Sequence, residues 1–207
     1  MKSAGLTFVQ SLHEKIFLVL IRTNKSMEFH ITTARLILRE IRDEDLEGMY
    51  ELDSNPNVHR FLGNKPIQSR EEAQKIIESV KNQYRERGIG RWAVINKQTN
   101  EFMGWSGIRL NTEYNMNGYT RYYDIGYRLI ERFWGNGYAT ESGKAAVDYA
   151  FNEMHLPELF ATTEVNNHAS HNALLKIGLH YKADFHFAEE QLDLRWYSIV
   201  NPNIAPF

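Results

Sequence analysis

The sequence predicts an α/β (α+β) fold, a mixed sheet of about seven strands flanked by helices. Aromatic and β-branched segments bounded by turn residues, such as Phe102–Leu110, indicate strands. A capping box at Ser69 and Glu72 indicates the start of a helix. Between residues 122 and 165, a strand, a glycine turn, a helix and a strand follow one another. A crossover of that length implies that its two strands are parallel.

The first part of the domain predicts one strand and two helices. Arg35–Ile41 is the strand, and Asp43 is expected to be the N-cap of a helix that runs to about Asp53. Asn55 and Pro56 should form a loop. The capping-box helix continues to about Arg87, where Gly88 and Gly90 end it.

The middle of the chain predicts three strands. Residues 92–95 and 102–110 form a hairpin across the turn at residues 97–100. A flexible loop, residues 111–120, separates them from the strand over residues 122–130.

The last third completes the sheet. A helix over residues 142–151 follows the glycine turn, and small residues at 139, 143, 146 and 150 should let it lie close to the sheet. The strand Leu159–Val165 comes next, then a short helix over Ser170–Ile177 that Gly178 ends. Two strands near residues 181–187 and 192–200 finish the chain.

The glycine turn predicts a binding site for a phosphate or pyrophosphate. Backbone N–H groups at a helix N-terminus have no partner within the helix, and the helix dipole favours an anion there. Gly135 and Gly137 let a ligand approach the backbone. The turn lacks the Gly-Lys-Ser/Thr of a P-loop, and Thr140 stands where a dinucleotide fingerprint has its third glycine.

Arg132-x-x-Gly135-x-Gly137 instead resembles the pyrophosphate loop of the GNAT acetyltransferases. The run from Asp124 to Glu141 looks like the RimJ/RimL branch of that superfamily. Further similar segments occur in the family's order, at residues 33–39, 55–62, 102–107 and 167–179. The resemblance covers about residues 31–200 and implies a mostly antiparallel sheet with one parallel, splayed pair of strands.

The resemblance implies acetyl-CoA as co-substrate and transfer of its acetyl group to an amine. Strand backbone at Tyr127, Arg128 and Leu129 would hold the pantetheine arm. The pyrophosphate would bind at Arg132, Trp134, Gly135, Asn136, Gly137, Tyr138, Ala139 and Thr140. The alternative for Arg132 is that it is a solvated surface residue without a role in phosphate binding. Asn167 and Asn172 complete the expected cofactor residues, and Asn167 has the alternative role of N-cap.

Two residues are candidates for catalysis. Asp124 lies where relatives often place a glutamate base, and its alternative role is pairing with an arginine such as Arg121 or Arg128. Many members of the superfamily use a tyrosine seven residues after the motif asparagine as the acid, but this chain has Leu174 there. The RimL-like branch suggests Ser170 as donor to the leaving thiolate instead.

The acceptor is expected between the segments Asp53–Leu62 and Asn111–Tyr123. These supply aromatic and acidic side chains that suit a cationic amine: His59, Phe61, Tyr114, Tyr119, Tyr122, Asp53 and Glu113. A peptide N-terminal amine is predicted ahead of a small amine such as an antibiotic, polyamine or amino acid. The competing hypothesis, prompted by Leu174, is an acyl-CoA-binding module without turnover.

Composition limits the remaining possibilities. Residues 27–207 are long enough for one domain, while residues 1–26 form an extension of uncertain role. The net charge of −2 gives no reason to expect nucleic acid or a membrane as partner. The lack of cysteine excludes thiolate chemistry and suits a cytoplasmic protein, which we expect to be a monomer or homodimer. Histidines 168, 171, 180 and 186 have no third ligand at motif spacing, so no metal site is predicted.

Overall fold

A computed structural model describes residues 29–204 of the chain. Its centre is one eight-stranded sheet with the order β1-β2-β3-β4-β5-β6-β8-β7. The strands are β1 His30–Thr32, β2 Leu36–Glu40, β3 Arg91–Asn96, β4 Phe102–Asn111, β5 Tyr122–Leu129, β6 Glu158–Glu164, β7 His180–Phe187 and β8 Leu192–Val200. The helices are α1 Leu46–Ser54, α2 Pro56–His59, α3 Arg70–Arg87, α4 Tyr138–Asn152 and α5 His168–Ile177.

The sheet is antiparallel except at one place. The strands β5 and β6 run parallel and are paired only through Asp124 and Phe160. Every other neighbouring pair is antiparallel. Beyond the single contact β5 and β6 diverge, so the sheet opens into a cleft. The predicted mixed sheet with one splayed parallel pair is therefore confirmed.

Helices cover both faces of the sheet. On one face, α4 and α5 pack over a core that contains Ile108, Ile125 and Leu159. Gly143 is in contact with Ile177, and a Cβ at that position would overlap the isoleucine side chain. The expected close packing of α4 thus depends on its small residues. On the other face, α1 and α3 cover a second core.

Two predictions near the start of the domain were wrong. Asp43 is not an N-cap, because it begins a 3-10 turn over Asp43–Asp45, and α1 follows at Leu46. Its carboxylate instead accepts hydrogen bonds from Lys81 and Gln74 of α3. The predicted loop at Asn55 and Pro56 contains the short helix α2, which the Asn55 side chain caps.

The structure also extends the predicted elements. Strand β1, too short to give a periodic signal, pairs with β2 and raises the strand number to eight. Helix α4 begins at Tyr138, directly after Gly137. The proposed extension over residues 1–26 lies outside the described residues. None of the helices within residues 29–204 combines the length and apolar character that a membrane span requires.

Candidate active site

The splay between β5 and β6 forms a cleft with a volume of about 1130 Å³. From Ile125 onward, the edge of β5 that faces β6 has no strand partner. The cleft continues through the sheet, so both helical faces contribute to its walls. On one face it is lined by the N-termini of α4 and α5, and on the other by α1, α2 and α3.

The glycine turn lies at one end of this cleft. Gly135 and Gly137 have φ angles of 77° and 80°, which favour glycine over other residues. Gly137 is the N-cap of α4 and, as a glycine, has no side chain to cap the helix. The first N–H groups of α4 are therefore available to a ligand. Apart from its two chain neighbours, no residue among 29–204 has an atom within 4 Å of the place that a Cβ on Gly135 would occupy.

Contacts with the segment before β2 fix the turn. Glu141, in the first turn of α4, accepts hydrogen bonds from the Thr33 hydroxyl at 2.6 Å and from Arg35 Nε at 2.7 Å. Burial raises the pKa of Glu141, but the hydrogen bonds from Thr33 and Arg35 outweigh it and hold the pKa below its usual value. Arg35 also donates to the Asn136 carbonyl at 3.0 Å and lies over the Tyr138 ring. The turn is thus held by residues more than 100 positions upstream.

Two residues expected at the pyrophosphate have side chains outside the cleft. Arg132 forms ion pairs with Glu51 and, at 2.6 Å, with Glu101. Neither Arg132 nor Asn136 lines the cleft. The Asn136 amide turns back into the loop and donates to the Trp134 carbonyl at 2.9 Å. Asn136 therefore shapes the turn through its side chain.

The structure brings Tyr127 and Ser170 together. The Tyr127 hydroxyl lies 3.1 Å from the Ser170 hydroxyl and donates to the Ser170 carbonyl at 3.0 Å. Burial raises the pKa of Tyr127 to about 12, so the phenol keeps its proton at neutral pH. Only the backbone of Tyr127 was expected to take part, but its side chain positions the predicted acid.

Asn167 adopts the alternative of its two predicted roles. Its side-chain oxygen accepts a hydrogen bond from the Ser170 backbone N–H at 3.0 Å and so caps α5. Asn167 and Asn172 both line the cleft, as do Trp134 and the residues of the first turn of α4. The Trp134 indole donates to the Leu129 carbonyl at 2.7 Å, which connects the turn to the end of β5.

Asp124 is paired with arginines, but not with the two suggested by sequence. Its carboxylate accepts from Arg91 at 2.6 Å and from Arg109 at 3.4 Å. Arg91 is almost fully buried, and burial lowers its pKa despite the attraction of Asp124. Arg109 lies directly opposite Asp124 on β4, and Arg91 lies one strand further on, in β3. Both share the sheet face of Asp124.

A second buried pair lies on the same face. Arg128 forms an ion pair with Asp53, which is completely buried and is also 3.3 Å from His59 Nε2. The guanidinium groups of Arg128 and Arg91 lie over the Trp105 ring, at 5.1 and 5.6 Å from its centre. The other carboxylate oxygen of Asp53, Oδ2, is buried and has no hydrogen-bond partner among residues 29–204. The side chain of Arg128 therefore belongs to the wall opposite α4.

Only one of the two segments expected to bind the acceptor lines the cleft. Residues of the Asp53–Leu62 segment line the cleft, but no residue of the Asn111–Tyr123 loop does. Tyr119 stacks on Trp196, Tyr122 packs against Phe160, and Glu113 pairs with Arg87. Helix α3 takes the place of that loop, with Ile76, Ser79, Val80 and Gln83 at the wall.

Sequence reasoning missed the side chains that line this second face. Arg91 and Arg109 lie in no motif, and Trp105 lies in a family-like segment that suggested no role for its side chain. The three meet only through the register of β3, β4 and β5. Alternation along β4 was a usable signal, since residues 105, 107 and 109 must share a face. Within residues 29–204 no group of three histidine or acidic side chains is placed to hold a metal ion.

Comparison with known proteins agrees with this architecture. A sequence profile of the Acetyltransferase (GNAT) domain matches residues 35–180. An uncharacterized N-acetyltransferase, YoaA of Bacillus subtilis, is 32% identical over 176 residues, which cover 83% of this chain and 97% of the relative.

Solved structures show the same fold. A GNAT-family acetyltransferase from Bacillus anthracis superposes with a TM-score of 0.69 at 23% identity, over 84% of this chain and 99% of that structure. RimL, a ribosomal L7/L12 alpha-N-protein acetyltransferase in complex with coenzyme A, gives a TM-score of 0.67 at 20% identity, over 83% of this chain and 98% of that structure. The match across most of the chain shows that this protein belongs to the GNAT family and is an acyltransferase that uses acetyl-CoA as co-substrate.

Proposed function

We propose that the protein acetylates the α-amine of a peptide or protein N-terminus, in the manner of the RimJ/RimL branch. One observation carries the proposal: the glycine turn, the Tyr127–Ser170 pair and the wall formed by α1 to α3 lie along one continuous cleft. A donor bound from the α4 side can therefore meet an acceptor that enters from the opposite face of the sheet.

In the proposed complex, the pyrophosphate lies on the first N–H groups of α4. Gly135 leaves space for it, and the helix dipole favours its charge. The backbone of residues 127–129, which lacks a β6 partner, offers hydrogen bonds to the pantetheine arm. Asn172 lies close enough to the cleft to contact the same arm.

The chemistry needs one new bond and one broken bond. The ammonium first gives one proton to a base or to solvent. The neutral amine then attacks the thioester carbonyl carbon, and the C–N bond forms as the C–S bond breaks. The nitrogen loses a second proton as the amide forms, and the departing CoA thiolate takes up a proton and leaves as the thiol. We assign Ser170 the role of hydrogen-bond donor to the leaving sulfur, with Tyr127 holding it in place. Asp124 remains a candidate base, but its two arginine contacts favour a role in arranging Arg91 and Arg109.

Further parts of the proposal come from the sequence. We propose that residues 27–207 form one domain, that the protein acts in the cytoplasm as a monomer or homodimer, and that neither nucleic acid nor a membrane is a partner. Size-exclusion chromatography with light scattering measures the oligomeric state directly.

Release of free thiol from acetyl-CoA tests the proposed activity. The panel should contain N-terminal peptides, aminoglycosides, polyamines and amino acids, each assayed at several concentrations. Turnover of peptides well above that of every small amine supports the proposal. A small amine that is acetylated far more efficiently than every peptide would replace the peptide part and leave acetyl transfer standing. Thermal stabilisation by CoA without thiol release from any amine would favour a non-catalytic acyl-CoA-binding module.

A further inference from the structure

The second face of the cleft carries an excess of positive charge. The strands and α1 contribute three guanidinium groups and two carboxylates to it: Arg91, Arg109, Arg128, Asp53 and Asp124. Two further charged residues of this face, Arg60 and Glu131, are one of each sign and leave the excess unchanged. The two carboxylates form close ion pairs with two of the arginines. The third arginine is therefore the one whose positive charge is available to a ligand.

Two of the three arginines are neutralised inside the wall. Asp124 holds Arg91 at 2.6 Å, and Arg91 also donates to the Asp124 carbonyl at 2.8 Å. Asp53 holds Arg128. Since Arg91 and Asp53 are both buried, these pairs are part of the structural framework.

Arg109 is held much more weakly. Its contact with Asp124 runs through Nε alone, at 3.4 Å, and Asp124 already serves Arg91. Within residues 29–204, neither terminal nitrogen of Arg109 has a hydrogen-bond partner. The side chain is 31% exposed and lines the cleft. Arg109 thus presents a charged, planar pair of nitrogens to whatever occupies the cleft.

The position of Arg109 separates it from the phosphates of the co-substrate. Arg109 pairs in register with Asp124, at the point where β5 and β6 still touch. The end of β5 at Leu129 is five residues further on, about 16 Å along a strand. The glycine turn follows beyond that end and borders α4, on the opposite face. Arg109 is therefore placed to interact with the acceptor and not with the phosphates of the co-substrate.

We propose that the acceptor is a primary amine that carries a carboxylate, and that Arg109 binds that carboxylate. A guanidinium matches a carboxylate through two parallel hydrogen bonds. The inference rests on the proposed acetyl transfer and narrows its substrate class. Two sources fit this chemistry: the α-carboxylate of an amino acid, or an acidic side chain near a peptide N-terminus.

Matched pairs of acceptors test the proposal. Free amino acids are compared with their carboxamides, and peptides that begin with Asp or Glu with those that begin with Asn or Gln. The expected result is a kcat/KM about 10- to 100-fold higher for the carboxylate member of a pair. The pair with the larger ratio identifies the source. Equal values within every pair, or a preference for polyamines, would overturn the proposal.

Variants assign the effect to Arg109. Arg109→Gln should abolish the preference for carboxylates while leaving CoA affinity and the melting temperature unchanged, since the Arg91–Asp124 pair stays intact. Arg109→Lys keeps the charge but loses the paired nitrogens, so it should retain only part of the preference. Arg85→Gln, on an exposed arginine of α3 outside the cleft, is the control. A full preference in Arg109→Gln would contradict the assignment.

Binding measurements keep this test separate from turnover. Calorimetry on the CoA-loaded protein compares N-acetyl amino acids with their amides. Tighter binding of the acids, lost in Arg109→Gln, supports the carboxylate site even if no amine is acetylated. Equal binding of acids and amides by the wild-type protein counts against the site, whether or not acetyl transfer is observed.

Discussion

The Tyr127 hydroxyl lies 3.1 Å from the Ser170 hydroxyl across the cleft between β5 and α5. The Tyr127 hydroxyl donates a hydrogen bond to the Ser170 carbonyl, and the Asn167 side-chain oxygen accepts one from the Ser170 backbone N–H. The serine is therefore fixed from both sides. Related enzymes often have a tyrosine that acts as general acid at the position of Leu174. In this chain we therefore propose that Ser170, positioned by Tyr127, donates the hydrogen bond to the leaving sulfur.

Ser170→Ala should lower kcat by about 10²-fold or more, the usual range for loss of a general acid, with little change in CoA affinity. Tyr127→Phe should lower kcat less, because it removes only the group that positions the serine. The double variant should be no slower than Ser170→Ala alone. Steady-state kinetics at saturating acetyl-CoA measure these effects, and full activity in Ser170→Ala would exclude it as donor.

Gly135→Ala should weaken CoA binding at least tenfold, because its methyl group enters the space assigned to the pyrophosphate. The positive φ also costs about 1–2 kcal/mol of stability. Gly118→Ala is the matched control, since Gly118 has φ 88°, an equally open Cβ position and no place in the cleft. Calorimetry should show normal CoA affinity in the control alone. Unchanged affinity in both variants would contradict the placement of the cofactor.

Asp124→Asn should reduce the free energy of unfolding by about 3–5 kcal/mol, because it leaves the buried Arg91 without its counter-charge. Asp193→Asn removes a carboxylate that is 72% exposed and should change stability by less than about 0.5 kcal/mol. Urea denaturation measures both. The pH–rate profile of the Asp124→Asn protein that remains folded tests its catalytic role. A profile identical to that of the wild-type protein would exclude Asp124 as the base.

Glu141 should make the glycine turn sensitive to acid. Its folded pKa lies below the usual 4.5, so its contribution to stability is present above pH 4.5 and is lost as the pH falls through the lowered value. Glu141→Gln should therefore lose less stability than the wild-type protein on acidification. Thermal melts between pH 3 and 7 test this. Glu153→Gln, at the exposed end of α4, should follow the wild-type curve.

Asn167→Ala should destabilise the fold by about 1 kcal/mol through loss of the α5 cap, and Asn167→Ser should recover most of that. If capping is the whole role of Asn167, the serine variant binds CoA normally. Weakened CoA binding in the serine variant would return Asn167 to the cofactor residues.

The sequence alone determined the parts that local rules control. Gly135 and Gly137 marked a turn that needs positive φ, and the following helix offered free N–H groups to a phosphate. The alternation of strands and one helical crossover gave a mixed sheet with one parallel pair. These features depend on neighbouring residues, so a single sequence carries them.

Only the tertiary structure decided which charges meet. Asp124 and Arg91 are 33 residues apart, Asp53 and Arg128 75, and Glu141 and Arg35 106. The register of three strands sets the first pairing, and periodicity within each strand leaves that register undetermined. Arg132 shows the same limit, because its glutamate partners come from other elements and draw it away from the cleft. The acceptor wall consists of such long-range pairings, which is why Arg109 emerged only from the folded chain.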